Sequence, residues 1–375
     1  MQFGFTPEQA ALRDSVGRFL DTADRQQVRT HMDAGLRYDE AAWRRAADEL
    51  GLMSVPIPVE YGGAGGGLVE LAIVLEEFGR RLVRSPYLAS VGLASTALLA
   101  TDDAAACADF LPRIADGELI ATFALPVGVG SMANLPVHAS DDARLTGVAA
   151  AVIDAESAGL LIVPARTGTG TALFAVERGV VDASEGEATP YDLVTRSSLI
   201  RFDDTPAVRL GATVADVVER AFALANIALA AEQLGGAQAC LDACVEYAKT
   251  RTQFGRAVGS FQAIKHRCAD VLLKIEGARS LVYHAAWLAD QGATEELALV
   301  ASMTKAWCSD TYVQAAEANL LTHGGIGFTW EHDAHLHVRR ARSRAMTLGS
   351  PDDHRDAVAA RLLLAETPRS NHGFR

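Results

Sequence analysis

A chain of 375 residues with 49% hydrophobic content and a mean hydropathy of +0.11 can bury a large core and is long enough for two or three domains. Its formal charge of −13 excludes nucleic acid as the default partner, because phosphate binding needs a concentrated basic face. Aromatics stand at 6% while alanine and leucine dominate, which favours helix over sheet for most of the length.

No apolar run reaches the roughly 18–20 residues that a membrane span needs, and the opening MQFGFTPEQAALRD lacks the basic, apolar, small-residue layout of a secretory signal. A cytoplasmic protein without a membrane segment is expected. Cys107, Cys240, Cys244, Cys268 and Cys308 are scattered, odd in number and without a C-x-x-C pair, so they read as buried thiols rather than as a disulfide framework or zinc site.

In chain order, Thr6-Pro7-Glu8-Gln9 is a capping box with proline at the first helical position, and it opens a helix carrying Ala10, Leu12, Val16 and Leu20. A second helix runs from about Glu40 to Leu50 and stops at Gly51. A loop with Pro56, Pro58 and Tyr61-Gly62-Gly63 leads to a third from about Leu68 to Arg81, a fourth covers Ala89 to Leu99, and a fifth approaches Leu111. The glycine run Gly62 to Gly67 follows a proline loop instead of a strand, so it reads as a turn and not as a dinucleotide fingerprint. From about Ala121 to Arg209 short β-rich runs appear, among them Gly159 to Val163, Ala172 to Val176 and Ser198 to Phe202. Long helical patterns then cover Val214 to Arg251, Gly259 to Gln291, Thr294 to Leu321 and Asp352 to Ala365, before a polar tail from Thr367 that reads as disordered. The division expected is an N-terminal helical domain at 1–120, a middle β domain at 121–209, a C-terminal helical bundle at 210–366 and a flexible tail at 367–375. Helices, then β, then helices, with no repeated strand-helix-strand unit, rule out a doubly wound sheet.

Two segments carry a signature: Tyr247-Ala-Lys-Thr-Arg251-Thr-Gln253-Phe254-Gly255, continuing to Phe261-Gln262, and Leu321-Thr-His323-Gly324-Gly325-Ile-Gly327-Phe328-Thr-Trp330-Glu331-His332. The first sets a guanidinium, an amide and an aromatic ring at a helix junction, groups that suit a diphosphate and the apolar parts of a nucleotide. In the second, two glycines allow close approach of backbone to a ligand. Together with Gly51-Leu52 and Pro58-Val-Glu60-Tyr61-Gly62-Gly63, these segments resemble the acyl-CoA dehydrogenase family over almost the whole chain. The resemblance implies a mainly α fold with a middle β domain that is barrel-like and a C-terminal four-helix bundle. It also implies FAD as cofactor and an acyl-CoA substrate. By the same resemblance, Arg251, Gln253, Phe254, Gln262, Gly324 and Gly325 contact the ADP part of FAD across a subunit interface. Leu321 stands where the family usually has a glutamine, so one adenine-side hydrogen bond is missing.

The chain departs from the family around the flavin ring and the base. The tyrosine-glutamate-glycine-threonine stretch that usually holds the carboxylate base is matched by Thr347-Leu348-Gly349-Ser350, and the other family position, on the helix before Leu234-Gly235-Gly236-Ala237-Gln238, falls on Ala225. Neither leucine nor alanine accepts a proton. The ring-binding loop reads Ala124-Leu125-Pro126-Val-Gly128-Val-Gly130-Ser131, without the family's threonine and glutamate, and the strand that normally packs on the flavin reads Ala151-Val152-Ile153-Asp154. No catalytic residue is therefore assigned. The resemblance implies a subunit that contributes adenine-side contacts to a catalytic paralogue, as in heteromeric α2β2 dehydrogenases acting on bulky, notably steroid-derived, acyl-CoA. The alternatives are a homotetramer that is self-sufficient through Glu232, seven residues beyond Ala225 on the same helix face, a flavin-dependent monooxygenase on the same fold, and a purely structural scaffold. His323, His332, His335 and His337 lack the i, i+4 spacing of a helical zinc pair and read as hydrogen-bonding or surface histidines.

Overall fold

The computed structural model describes residues 4–22, 29, 37–125, 135–178, 183–184, 191–211, 215–292 and 294–366. The Pro126 to Ser131 stretch of the expected ring-binding loop and the tail from Thr367 lie outside them. Helix α1, Pro7–Asp21, starts where the capping box demands, with Thr6 Oγ1 accepting from Gln9 N at 3.2 Å and Gln9 Oε1 accepting from Thr6 N at 3.0 Å. Helix α2 spans Glu40–Asp48, and Gly51 follows it with φ +59°, the left-handed geometry that glycine adopts without strain. Helix α3, Leu68–Arg80, is buried from Leu71 through Gly79 because it lies between α1 and the C-terminal helices. The fourth expected helix divides into a π-helical stretch, Leu88–Ser95, and a short α4, Thr96–Ala100, before α5, Ala104–Ala115. Ser95 and Thr96 donate back to Val91 O and Gly92 O in this stretch, a local competition that hydrophobic periodicity does not register.

Between the helical regions lies one sheet built from β1 (Ala121–Phe123), β2 (Val137–Ala139), β3 (Arg144–Ile153), β4 (Leu160–Thr167), β5 (Gly170–Glu177), β6 (Ala183–Ser184), β7 (Ser197–Pro206) and β8 (Val208–Leu210). The order is β6-β7-β3-β2-β4-β5-β8, with β1 parallel to β4. Among the described residues the path runs from β6 at one end to β8 at the other. Register slips between Ala149 and Val152 form a bulge in β3, and Ala151 takes φ +56° there.

The C-terminal region holds α6 (Ala215–Thr250), a two-stranded ribbon of β9 (Thr252–Gln253) and β10 (Arg256–Ala257), α7 (Gln262–Asp290), α8 (Thr294–His323), α9 (Ala334–Met346) and α10 (Pro351–Glu366). The bundle of α6, α7, α8 and α10 matches the expected four helices. Helix α9 was not anticipated. Its buried face is Ala334, Leu336, His337, Arg340, Ala341, Arg344 and Ala345, so three of the seven inward residues are charged or polar and an apolar pattern does not reveal it. Glycines set the helix spacing: a Cβ on Gly79 would lie 1.9 Å from Glu232 O, and one on Gly235 1.8 Å from Glu76 O. Only glycine at both sites lets α3 and α6 cross at this distance. The crossing is tied further by Glu76, which accepts from Arg13 on α1, Arg279 on α7 and Tyr283 Oη. All five cysteines are free thiols and only Cys268 is not fully buried.

Candidate functional site

Helix α6 ends in the β9–β10 ribbon, where Gln253 pairs with Arg256. Phe254 and Gly255 form its two-residue turn with φ +51° and +76°, the left-handed pair that matches strand twist, and this geometry holds the Phe254 ring 91% exposed. Arg251 is exposed, and its guanidinium makes no hydrogen bond or ion pair among the described residues. Gln253 donates only to the neighbouring Thr252 carbonyl, and Gln262 opens α7 in an exposed position.

The second signature segment lies beside the first. Tyr247, one turn before Arg251, packs against His323 with ring centroids 4.2 Å apart and planes tilted by 38°, and His323 packs against His332 at 4.1 Å with a tilt of 43°. His323 also bonds Asn319 O through Nδ1, which fixes the end of α8 from which Gly324 and Gly325 emerge. Gly324 has φ +65°, so its own backbone asks for glycine; Gly325 does not. A Cβ built on either would meet nothing within 4 Å. Packing within this chain therefore gives Gly325 no reason to be glycine, and its open side faces outward together with exposed Leu321, Phe328 and Trp330. Five of the six residues assigned to nucleotide contact are exposed and Gly324 is half-buried, and the Tyr247–His323 ring contact joins their two segments.

A different region is a cleft, open on one side, between the sheet and α9. A cavity of about 520 Å³ is walled by Phe123, Ile153, Asp192, Arg344, Met346 and Leu348, among others. The bulge in β3 turns Ala150 and Ala151 into it. Leu348 occupies the position where the sequence pattern expects a base. It is 2% exposed with φ +64°, its carbonyl is engaged by His354 Nε2 at 3.0 Å, and Lys305 Nζ fastens the same turn through Arg344 O, Ala345 O and Gly349 O at 3.2–3.3 Å. Ala225, the other candidate position, is fully buried in the α6 core.

Glu232 sits behind the cavity wall, 3% exposed, between Arg340 Nη2 and Arg344 Nε, the latter at 2.7 Å. Burial alone would raise its carboxyl, but the two guanidiniums outweigh burial and hold it at about 2. Both oxygens are therefore engaged, and the group is a poor proton acceptor. The histidines are similarly placed: His337 Nδ1 lies 3.0 Å from Tyr312 Oη, and the Trp330 ring meets His335 edge-on. Sequence reasoning did not single out Arg340, Arg344, Lys305 or Asp192. The only available signal was an arginine pair at i, i+4 on a helix that apolar periodicity does not detect.

A family model for the acyl-CoA dehydrogenase N-terminal domain matches residues 6–118, and one for the C-terminal domain of the same family matches residues 215–363. The chain belongs to the acyl-CoA dehydrogenase family. It is 35% identical to the acyl-CoA dehydrogenase IpdE2 of Mycobacterium tuberculosis over 92% of this chain and 94% of that one. Among solved structures it is similar to the Tcur3481-Tcur3483 steroid ACAD variant, with 30% identity, 96% and 98% of the two chains covered and a TM-score of 0.88. It is also similar to the ChsE4-ChsE5 complex of M. tuberculosis, with 28% identity, 98% and 100% covered and a TM-score of 0.89. Acyl-CoA dehydrogenases are oxidoreductases acting on CH–CH bonds, and this chain carries the family fold, helical in its N- and C-terminal regions with a β sheet between them. No helix among the described residues is long and apolar enough to cross a membrane.

Proposed function

We propose that this chain is the subunit of a cytoplasmic, FAD-dependent acyl-CoA dehydrogenase heterotetramer that contributes adenine-side contacts to a flavin whose ring and base belong to a paralogous partner. The observation that carries this is the split between the two regions. Arg251, Gln253, Phe254, Gln262 and Gly325 stand exposed and half-buried Gly324 has open space beside it, whereas the two family base positions are Leu348 and Ala225, both buried. The residues fit an FAD diphosphate: an unpaired guanidinium donates two parallel hydrogen bonds to phosphate, and the glycine pair leaves room for backbone approach. FAD, when bound, supplies the acceptor for the β-hydride of an acyl-CoA thioester. This chain's residues orient the nucleotide end and move no proton. A homotetramer would contain no carboxylate at either base position in any subunit, and Glu232 cannot take over while both its oxygens meet buried guanidiniums.

Two further observations support the partner and the substrate class. Leu272, Leu273, Met303 and Trp307 are exposed apolar side chains on α7 and α8, of the kind that another chain covers in an assembly. The solved relatives include a steroid ACAD and a complex of two differently named chains, in line with a steroid-derived or similarly bulky acyl-CoA. The decisive experiment purifies the chain alone and together with the product of a neighbouring paralogous gene, and measures flavin per subunit. Little flavin alone and half-stoichiometric flavin in a tetramer are expected. Stoichiometric flavin in the isolated chain, or a monodisperse monomer by light scattering in the presence of the partner, would overturn the proposal.

A further inference from the structure

The loop that carries the glycine pair is closed at its base by two imidazoles. His323 ends α8, His332 stands shortly before α9, and their ring centroids are 4.1 Å apart. Between them, residues 324–331 run over the surface with Gly325, Ile326, Phe328 and Trp330 exposed. Each ring is held by a hydrogen bond of its own. His323 Nδ1 lies 2.9 Å from Asn319 O, a carbonyl that can only accept, so this nitrogen carries a proton. His332 Nδ1 accepts from Ala334 N at 3.1 Å, so there the nitrogen carries none. Tyr247 ties the same base to α6. Its ring packs against His323 with centroids 4.2 Å apart, its Oη donates to His323 O at 3.5 Å, and its own carbonyl accepts from Arg251 N at 2.9 Å. Val258 N donates to Arg251 O at 2.8 Å and closes the ribbon that carries Gln253 and Phe254. Arg251 is thus bonded to one ring residue, Gly324 follows another in the chain, and the two rings touch.

We infer that Tyr247, His323 and His332 are positioning residues, which hold the Arg251 ribbon and the Gly324–Gly325 loop in one arrangement matched to the nucleotide end of FAD. The inference rests on the proposed function, which assigns nucleotide contact to the two segments and nothing to these rings. None of the three touches the cofactor; they act by fixing the loop before it arrives. A loop whose ends are already held together has less freedom left to lose when a ligand binds, and that saving appears as affinity. Leucine at these positions would fill space without asking for the Asn319 and Ala334 hydrogen bonds. Rings whose orientation those bonds set suit a task that needs one loop geometry.

Tyr247→Leu tests this from the other segment, since Tyr247 is 76 residues from His323 along the chain. In the full-length chain without flavin, amide hydrogen exchange should speed up about tenfold at residues 324–328 and stay unchanged in α7, whereas a role confined to packing would raise exchange in both. In the complex assembled with the partner, equilibrium titration should show FAD binding weakened about three- to tenfold, the range of one aromatic contact. Tyr247→Phe keeps the ring and should restore both quantities; a loss equal to that of Tyr247→Leu would overturn the inference. His323→Phe, which keeps a ring and loses the bond to Asn319, gives a second reading should Tyr247→Leu not assemble: faster exchange at 324–328 is expected, and unchanged exchange there would overturn the inference. FAD affinity unchanged in Tyr247→Leu but weakened in Arg251→Ala would overturn the inference and leave the proposed function standing. FAD affinity unchanged in both variants would overturn the two together.

Discussion

Arg251 and Arg344 carry the same guanidinium into opposite surroundings. Arg251 stands in solvent at a helix end with no partner among the described residues, while Arg344 is 2% exposed, bonded to Glu232 and Thr195, and packed behind a cavity. The first is available to a molecule from outside; the second is already committed to holding α6, α9 and the 191–197 segment together. The contrast extends to the glycines. Gly79 and Gly235 have backbone carbonyls within 2 Å of where a Cβ would lie, so they serve packing, whereas Gly324 and Gly325 face open space. Residue type alone therefore separates neither arginine nor glycine into binding and structural roles. What their own chain has placed around them does.

The strongest way to break this contrast is Glu232→Gln. Removing one charge from a buried cluster leaves two guanidiniums uncompensated and should lower stability by about 3–5 kcal/mol, read as a lower urea midpoint, while molecules that remain folded keep their turnover in the assembled enzyme. Lost turnover at unchanged stability would instead make Glu232 the base. The pH dependence has a definite sign. The folded value of about 2 lies below the ordinary 4.5, so the Glu232 contribution is complete above about pH 4.5 and is lost as pH falls towards 2.

Asp154 gives the opposite slope. Burial, only partly offset by Arg344 and Arg340, pushes its carboxyl from the ordinary 3.8 up to about 7. The folded chain thus holds this proton more tightly than the unfolded one, and stability drains away as pH rises from about 4 to 7. Asp154→Asn should remove that loss, raising stability by roughly 2–4 kcal/mol at pH 8 with little change at pH 4, as urea midpoints across this range would show. A midpoint shift equal at both pH values would contradict it.

Arg251→Ala sharpens the outer half of the contrast. Loss of a charge-assisted contact to a diphosphate should weaken FAD binding in the assembled enzyme by about 1.5–3 kcal/mol, with stability unchanged and turnover restored by excess FAD. Equilibrium flavin titration against the partner-containing complex measures it. The smallest effects come from the glycine pair. Gly324→Ala should cost about 1 kcal/mol of stability because of its positive φ, whereas Gly325→Ala should leave the melting temperature unchanged and still reduce flavin affinity, since its side chain would project into the space a ligand uses. Equal melting shifts for the two would remove the distinction.

Much of this was legible along the chain. The capping box at Thr6, the β-rich runs, the long apolar periods of α6, α7 and α8, and the two signature segments are local patterns, and local patterns follow from propensity and spacing. The absence of a carboxylate at positions 225 and 348 was equally plain, because a missing functional group needs no geometry to be noticed. Helix α9 was not legible, because its inward stripe of His337, Arg340 and Arg344 imitates a solvent-facing one until the partner charge is known. The role of Glu232 also depended on contacts from 108 and 112 residues away, and the same helical spacing that made it a candidate base could not show that both its oxygens were occupied.

The amino-acid sequence by itself determined the family, the order of helical and β regions and the absence of a carboxylate at positions 225 and 348, since each resides in residue identity or short-range periodicity. Only the tertiary structure decided that the residues proposed to contact the nucleotide lie at the surface with their two segments joined through Tyr247 and His323, that Glu232 is locked in a buried ion cluster, and that a cleft opens between the sheet and α9. Burial and partnership are properties of long-range contacts, and whether a charged side chain binds, reacts or merely packs depends on which other charges the fold brings within a few ångströms.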